Sequence, residues 1–176
     1  MTFRSATMRD LDRIAEIYSH IHDEEEAGRA TIGWIRSIYP TRATAETAIR
    51  KGTMYVEESG GHIVAAAKID QEQVPEYIGA SWSHDAPDDR VLVLHALVVS
   101  PREAGRGVGT AFVRFYEDCA RERGCPFLRM DTNARNSAAR ALYKKLGYRE
   151  AGIVSCVFNG IPGVRLVCLE KTLERS

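Results

Sequence analysis

The chain has 176 residues, and its 24 Lys and Arg residues are balanced by 24 Asp and Glu residues, so its formal net charge is zero. A neutral chain has no overall attraction to nucleic acid or to an acidic membrane, and we expect neither as a partner. No apolar run approaches the roughly 20 residues that span a bilayer, and residues 1–10 lack the apolar core of a signal peptide. The four scattered cysteines show no C-x-x-C spacing, which predicts reduced thiols and no metal site. We therefore expect a single cytoplasmic domain over residues 1–176.

The predicted elements begin with a short strand followed by two helices. Thr7 and Asp10 have the spacing of a capping box, and the apolar residues after them repeat at helical intervals. The acidic stretch after His20 predicts the end of this helix and a loop. Thr44 is expected to cap a second, shorter helix that ends near Lys51.

The middle of the chain predicts strands. Gly60 and Gly61 separate two apolar runs and predict a hairpin, because both turn residues adopt positive φ at little cost. The polar stretch over residues 71–89 predicts mainly loop, in which a short strand over Tyr77–Trp82 is one option. Val91–Val99 is almost entirely apolar, which is typical of a central strand covered on both faces.

The last part of the chain alternates helix and strand and ends in a second hairpin. Helices are predicted over Gly107–Arg123 and Asn136–Leu146, and each is followed by a glycine that stops it. Strands are predicted over Phe127–Thr132, Tyr148–Phe158 and Val164–Leu173. Because strands stand on both sides of this central alternation, we predict an α/β (α+β) fold with a mixed central sheet, not a doubly wound sheet.

The turn after Val99 contains three alternate glycines, Gly105, Gly107 and Gly109. A glycine-rich turn that opens a helix presents free backbone N–H groups at the positive end of the helix dipole, which favours a bound phosphate. Rossmann dinucleotide sites use a similar turn, but they need an acidic residue for the ribose at the end of a following strand, and none stands in the right place. The turn therefore predicts a coenzyme phosphate site of another class.

Two motifs together resemble those of the GNAT superfamily of N-acetyltransferases. The segment VSPREAGRGVGT at residues 99–110 resembles the pyrophosphate loop for acetyl-CoA. The segment NSAARALYKKLGY at residues 136–148 resembles the second signature of the family. The family's loop usually opens with Arg or Gln, whereas this chain has Ala104. Arg102 and Arg106 would then supply the charge.

The resemblance implies the family's fold and its coenzyme site. Helices would cover both faces of the sheet, and Val91–Val99 would splay from the parallel strand Phe127–Thr132. The pantetheine arm of acetyl-CoA would fill the gap and pair with the backbone, and no metal would take part. The residues implied to bind acetyl-CoA are Leu97, Val98, Val99, Gly105, Arg106, Gly107, Val108, Gly109, Thr110, Asn136 and Tyr143.

The resemblance also implies catalytic roles for three residues in direct acetyl transfer to a primary amine. The Leu97 N–H would stabilise the thioester oxygen, and Tyr143 would protonate the leaving thiolate. His95 lies in an apolar run, where an unpartnered imidazole is costly. It would accept the amine proton directly or through water, or it is a buried structural histidine. Related arylalkylamine enzymes carry a second histidine where this chain has Val93.

The acceptor is expected to be a small-molecule amine, because a neutral chain favours a small molecule over a basic protein tail. Acidic and aromatic side chains suit a cationic amine, and those expected near it are Glu24, Glu25, Glu26, Trp34, Tyr39 and Trp82. His20–Glu26 has metal-binding residue types, but a solvated helix end explains it better. A CoA-binding regulatory module without turnover, another acyl group and a protein amine stay open. The family often dimerises through its C-terminal strands, so we expect a homodimer.

Overall fold

The computed structural model describes residues 1–174, and its centre is a seven-stranded mixed sheet. In space the strands follow the order β1-β2-β3-β4-β5-β7-β6. Their bounds are β1 (Thr2–Ser5), β2 (Met54–Ser59), β3 (His62–Asp70), β4 (Val91–Val99), β5 (Phe127–Asn133), β6 (Arg149–Phe158) and β7 (Ile161–Thr172). The pair β4 and β5 is parallel and the other neighbouring pairs are antiparallel. The predicted mixed sheet is confirmed.

Four α-helices cover the two faces of this sheet. They are α1 (Leu11–Glu26), α2 (Arg42–Arg50), α3 (Val108–Glu122) and α4 (Ser137–Lys145). On one face, α1 and α2 pack in an apolar cluster with Val56 and Val98. On the other face, α3 and α4 pack around Phe112 and Tyr116, which are fully buried. Among residues 1–174, no helix is long and apolar enough to cross a membrane.

The first helix ends at Glu26, inside the stretch predicted for its end, and Arg29 and Arg36 neutralise the carboxylates of its acidic last turn. Two predicted local features are wrong. Thr41 caps α2, and Thr44 instead accepts a hydrogen bond of 3.0 Å from the Thr41 N–H. A strand near Tyr77 is replaced by the 3-10 turn Pro75–Gly79, where the proline at the start favours a tight turn.

Glu57 in β2 is a carboxylate buried in the sheet without a partner. It lies opposite Phe3 of β1 and is fully buried, and neither oxygen finds a hydrogen-bond partner within residues 1–174. Burial raises its pKa from 4.5 to about 7. The folded protein therefore favours the protonated form. The associated stabilisation is complete below pH 4.5 and is lost as the pH rises through about 7.

We expect Glu57→Gln to stabilise the protein increasingly as the pH is raised from about 5 to about 8.5, because a neutral amide has no ionisation to suppress. The measurement is the melting temperature of the variant minus that of the wild type, at each pH. Glu122→Gln, at an exposed position of α3, is the matched control. A difference that does not change with pH would show that Glu57 is not the responsible group.

Candidate active site

The site begins where the parallel strands β4 and β5 stop pairing. Four residues of each strand pair, and the last pair is Leu94 opposite Met130. Beyond it, β4 continues to Val99 along β3, and β5 continues to Asn133 along β7. Each strand therefore keeps one neighbour and turns an unpaired backbone edge toward the other. Unpaired N–H and C=O groups of this kind are a template for a further strand-like ligand.

A β-bulge in β4 accompanies this separation. Ala96 and Leu97 together stand opposite the single residue Ala67 of β3, and Ala96 has a positive φ of 50°. The extra residue reverses the alternation of the strand. Leu94 before the bulge and Leu97 after it both pack toward α3. They are three residues apart, so in a regular strand they would face opposite sides of the sheet. Bulges bend a strand, which explains why β4 leaves β5 here.

The separated strands form the floor of a cleft of about 1050 Å³. One end lies beside the loop before α3 and is lined by Val99, Pro101, Ala104, Gly109, Asn136, Ala139 and Leu142. The other end lies beside α1 and α2 and is lined by Glu24, Trp34, Tyr39, Thr44, Thr47, Lys51, Lys68 and Glu72. His95, Leu97, Asp131 and Tyr143 also line this cleft. We call these two regions the loop end and the helix end.

The loop end has the features of an anion site. Gly105 and Gly107 have φ values of 76° and 77°, which residues with a side chain rarely adopt. Gly107 is the N-cap of α3, and the first intrahelical bond runs from the Ala111 N–H to its carbonyl. The N–H groups of the first turn are therefore free for a ligand, and the helix dipole favours negative charge there.

The predicted coenzyme residues occupy two places. Leu97, Val98, Val99, Gly109, Asn136 and Tyr143 line the cleft. Gly105, Arg106, Gly107, Val108 and Thr110 form the loop and first turn of α3 next to it. Arg106 is exposed and binds Glu103 at 3.1 Å. The Val108 and Val98 side chains are buried in the core, so these two residues offer the cleft their backbone groups alone.

Helix α4 places Tyr143 against the cleft. Asn136 caps the helix by accepting a hydrogen bond of 3.1 Å from the Ala139 N–H. Tyr148 after the helix packs edge-on against Tyr143, with ring centroids 6.0 Å apart, and donates its hydroxyl to Glu117 at 3.1 Å. Burial, and then the charge of Asp131, raise the pKa of Tyr143 above 10.0. The phenol is thus protonated at neutral pH, as a proton donor must be.

His95 is bound to a carboxylate, not isolated in the core. Its Nε2 lies 2.9 Å from Oδ1 of Asp70, and Lys68 lies 3.1 Å from the other oxygen of that carboxylate. Burial opposes ionisation of Asp70, but the hydrogen bond and charge of His95 prevail and lower its pKa to about 2. The carboxylate fixes the orientation of the imidazole.

Asp131 is a site residue that the sequence analysis missed. It follows Met130, the last residue of β5 that pairs with β4, and its carboxylate accepts a hydrogen bond of 2.6 Å from the Tyr77 hydroxyl. Burial raises its pKa to about 6, although the Tyr77 hydrogen bond and the charge of His95 lower it. The available signal was the single acidic residue of a predicted central strand, since a carboxylate there is costly without a function.

The predicted acceptor residues divide into two groups. Glu24, Trp34 and Tyr39 line the helix end of the cleft, and the two aromatic rings are 5.9 Å apart. Glu25 accepts backbone N–H bonds from the loop after α1, and Glu26 binds Arg36. Trp82 is not among the described cleft-lining residues. Its indole donates to the Tyr77 carbonyl and stacks on the Arg129 guanidinium, 4.3 Å from the ring centroid.

Comparison with known proteins gives one family. The model of the Acetyltransferase (GNAT) family matches residues 12–148. Streptothricin acetyltransferase of Streptomyces lavendulae is 31% identical over 81 residues, which is 46% of this chain and 42% of that protein. The chain spans 42 to 62% of the length of the curated relatives that it matches.

Solved structures share the fold at low identity. A GNAT family acetyltransferase of Streptococcus agalactiae superposes with a TM-score of 0.82 at 23% identity, over 99% of this chain and 96% of that one. The structure of yncA from Salmonella typhimurium, solved with its cofactor acetyl-CoA, superposes with a TM-score of 0.72 at 19% identity, over 100% of this chain and 95% of that one.

The bulge predicts opposite outcomes for two substitutions of Ala96. Glycine adopts the positive φ freely, so Ala96→Gly should keep stability or raise it by up to about 1 kcal/mol. A β-branched residue is strained there, so Ala96→Val should lower the free energy of unfolding by about 2 kcal/mol. Denaturant unfolding of both variants measures this. Equal effects of glycine and valine would contradict the strain at this position.

Proposed function

The chain belongs to the GNAT acetyltransferase family, and from this membership and the cleft we propose that it is an acetyl-CoA-dependent N-acetyltransferase. Its acceptor in this proposal is the primary amine of a small molecule. The observation that carries the proposal is the separation of β4 from β5 between a free helix N-terminus and the half-buried polar groups His95 and Asp131.

The residues of the cleft fit a long ligand with a phosphate at one end. The first turn of α3 offers backbone N–H groups at the loop end, as a diphosphate requires. From there the unpaired edges of β4 and β5 run toward His95, and an extended amide-containing arm would pair with them. A Cβ added to Gly109 would lie 3.4 Å from Leu142, so the absence of a side chain there keeps this passage wide.

The chain's own groups support direct transfer. Bound acetyl-CoA supplies the thioester and a thiolate leaving group. The Leu97 N–H, in the bulge of β4, stabilises negative charge on the thioester oxygen. Tyr143 holds a proton on its hydroxyl at the wall of the same cleft and delivers it to the leaving sulfur. His95, oriented by Asp70, accepts the proton that the amine must lose.

A small-molecule acceptor is supported by the site and by one relative. The helix end is a concave space with aromatic side chains and charged side chains of both signs, which suits a small molecule more than a broad protein surface. Streptothricin acetyltransferase, by its name, acts on a small molecule. A CoA-binding regulatory module is the second candidate, because Ala104 replaces the usual Arg or Gln of the loop.

Thiol release from acetyl-CoA with a panel of small primary amines tests the proposed function. We expect release with at least one amine, and Tyr143→Phe, which keeps the ring but loses the hydroxyl proton, should lower kcat roughly 100-fold and weaken CoA binding far less. Thermal stabilisation by CoA measures that affinity. Stabilisation without release across the panel would favour the regulatory module or another acyl donor. If CoA does not stabilise the protein and no thiol is released from acetyl-CoA, the coenzyme site is refuted.

The His95–Asp70 pair predicts a graded loss of activity. His95→Gln removes the proton acceptor and should lower kcat roughly 100-fold. Asp70→Asn keeps the imidazole but replaces the carboxylate that orients it, and it should lower kcat about ten-fold. Steady-state kinetics measure both, and His62→Gln, at an exposed position of β3, is the matched control. Full activity of His95→Gln would identify His95 as structural.

A further inference from the structure

We propose that Asp131 is the binding residue for the acceptor's ammonium group, and that it selects cationic amines over neutral molecules of the same shape. This inference rests on the proposed function and gives it a substrate class: an amine that arrives as its ammonium ion. Asp131 holds the nitrogen between β5 and β4, where His95 takes its proton.

The register of the sheet places Asp131 next to His95. Leu94 and Met130 form the last pair of the parallel ladder, so His95 and Asp131 are the first residues on each side of the opening. They occupy the same face of the sheet, the one opposite α3. Val93 and Phe127 pack on that face, and His95 and Asp131 follow them by two and four residues, so their side chains point the same way. The charge of His95 also lowers the pKa of Asp131, as expected for close neighbours.

Asp131 differs from Glu24 and Glu72, which also line the cleft, in forming no salt bridge with the described part of the chain. Glu24 is bound to Arg29 at 2.9 Å, and Glu72 is bound to Lys68 at 3.2 Å. No Lys, Arg or His of residues 1–174 forms a salt bridge with Asp131. A shielded carboxylate without a cation is costly to maintain, and a cationic ligand removes that cost.

Tyr77 leaves half of the Asp131 carboxylate available. Its hydroxyl donates to Oδ2, which is the one side-chain hydrogen bond that Asp131 forms within residues 1–174. Tyr77 is itself buried, and its carbonyl accepts the Trp82 indole N–H at 2.8 Å. The tyrosine therefore fixes the carboxylate, and the second oxygen, Oδ1, remains free for a donor from a ligand.

Tyrosines complete the surroundings of this carboxylate. Tyr39 and Tyr143 line the same cleft. Burial is the main cause of the raised pKa of each, and the charge of Asp131 adds to it. Aromatic side chains near a carboxylate suit an ammonium ion, which is attracted to aromatic groups as well as to the negative charge. Neutral hydroxyl compounds gain neither, so the site discriminates by charge.

The proposed binding mode conserves protons and electrons. The bound ammonium gives one proton to His95, and the neutral nitrogen keeps the lone pair that forms the new C–N bond. The C–S bond breaks, and sulfur leaves with its electron pair and receives a proton from Tyr143. The second proton of the amine nitrogen passes to the Tyr143 phenolate as the amide forms, which restores the tyrosine. Asp131 stays ionised throughout and holds the nitrogen in place.

Binding measurements on the CoA-loaded protein test this without turnover. The probes are phenethylamine, n-butylamine and cadaverine, each titrated beside the alcohol of the same skeleton. We expect the wild type to bind at least one amine more tightly than its alcohol. Asp131→Asn should weaken the binding of that amine by about 30-fold or more and leave the binding of CoA and of the alcohol unchanged. Glu72→Gln, which removes a carboxylate already bound to Lys68, should have a much smaller effect.

Tyr77→Phe adds a second, milder variant, which keeps the charge of Asp131 but loses its orientation. We expect an intermediate loss of amine binding with normal CoA binding, which also guards against a folding defect in Asp131→Asn. Unchanged amine binding by Asp131→Asn would overturn the proposal, as would equal binding of every amine and its alcohol by the wild type. If thiol release is absent but the amine still binds, the proposed function is contradicted. The binding of the amine by Asp131→Asn then still decides the role of Asp131.

Discussion

The structure depends on the point at which β4 and β5 stop pairing, after Leu94 and Met130. Up to that pair the two strands form an ordinary buried ladder, with Tyr116 of α3 donating its hydroxyl to the Leu92 carbonyl beneath it. Beyond it, the bulge at Ala96 bends β4 away. Two backbone edges are then left without partners inside the sheet. Such edges are costly in a core, and a ligand that pairs with them removes the cost.

The rest of the fold holds this opening in place. On the side of α3, Glu117 joins Tyr148 and Lys171 and so fixes the end of α4 that carries Tyr143. On the opposite side, Arg129 binds the His84 carbonyl at 2.7 Å and stacks on Trp82, which anchors the long loop before β4. The same loop contains Tyr77. Buried and half-buried polar contacts thus hold the elements on both sides of the opening.

The loop end of the cleft and the start of the opening have opposite electrostatic character. At the loop end, the first turn of α3 offers N–H donors and the positive end of a helix dipole, which suit an anion. At the start of the opening, beside His95, Asp131 offers a carboxylate without a salt bridge to any of residues 1–174, which suits a cation. Leu97 lies between these two places on β4. This polarity orders an anionic coenzyme and a cationic amine along one cleft, with the reacting groups in the middle.

The sequence by itself determined the elements and the two family motifs, because these depend on local patterns. Alternating or continuous apolar runs defined the strands, and the glycines after Val99 marked the phosphate loop. It did not reveal the bulge, since Val91–Val99 reads as an unbroken strand and the bulge exists only in its register with β3. Nor did it reveal Asp70 or Asp131 as site residues. Their partners, His95 and Tyr77, are 25 and 54 residues away in sequence, so only the tertiary structure brings them together.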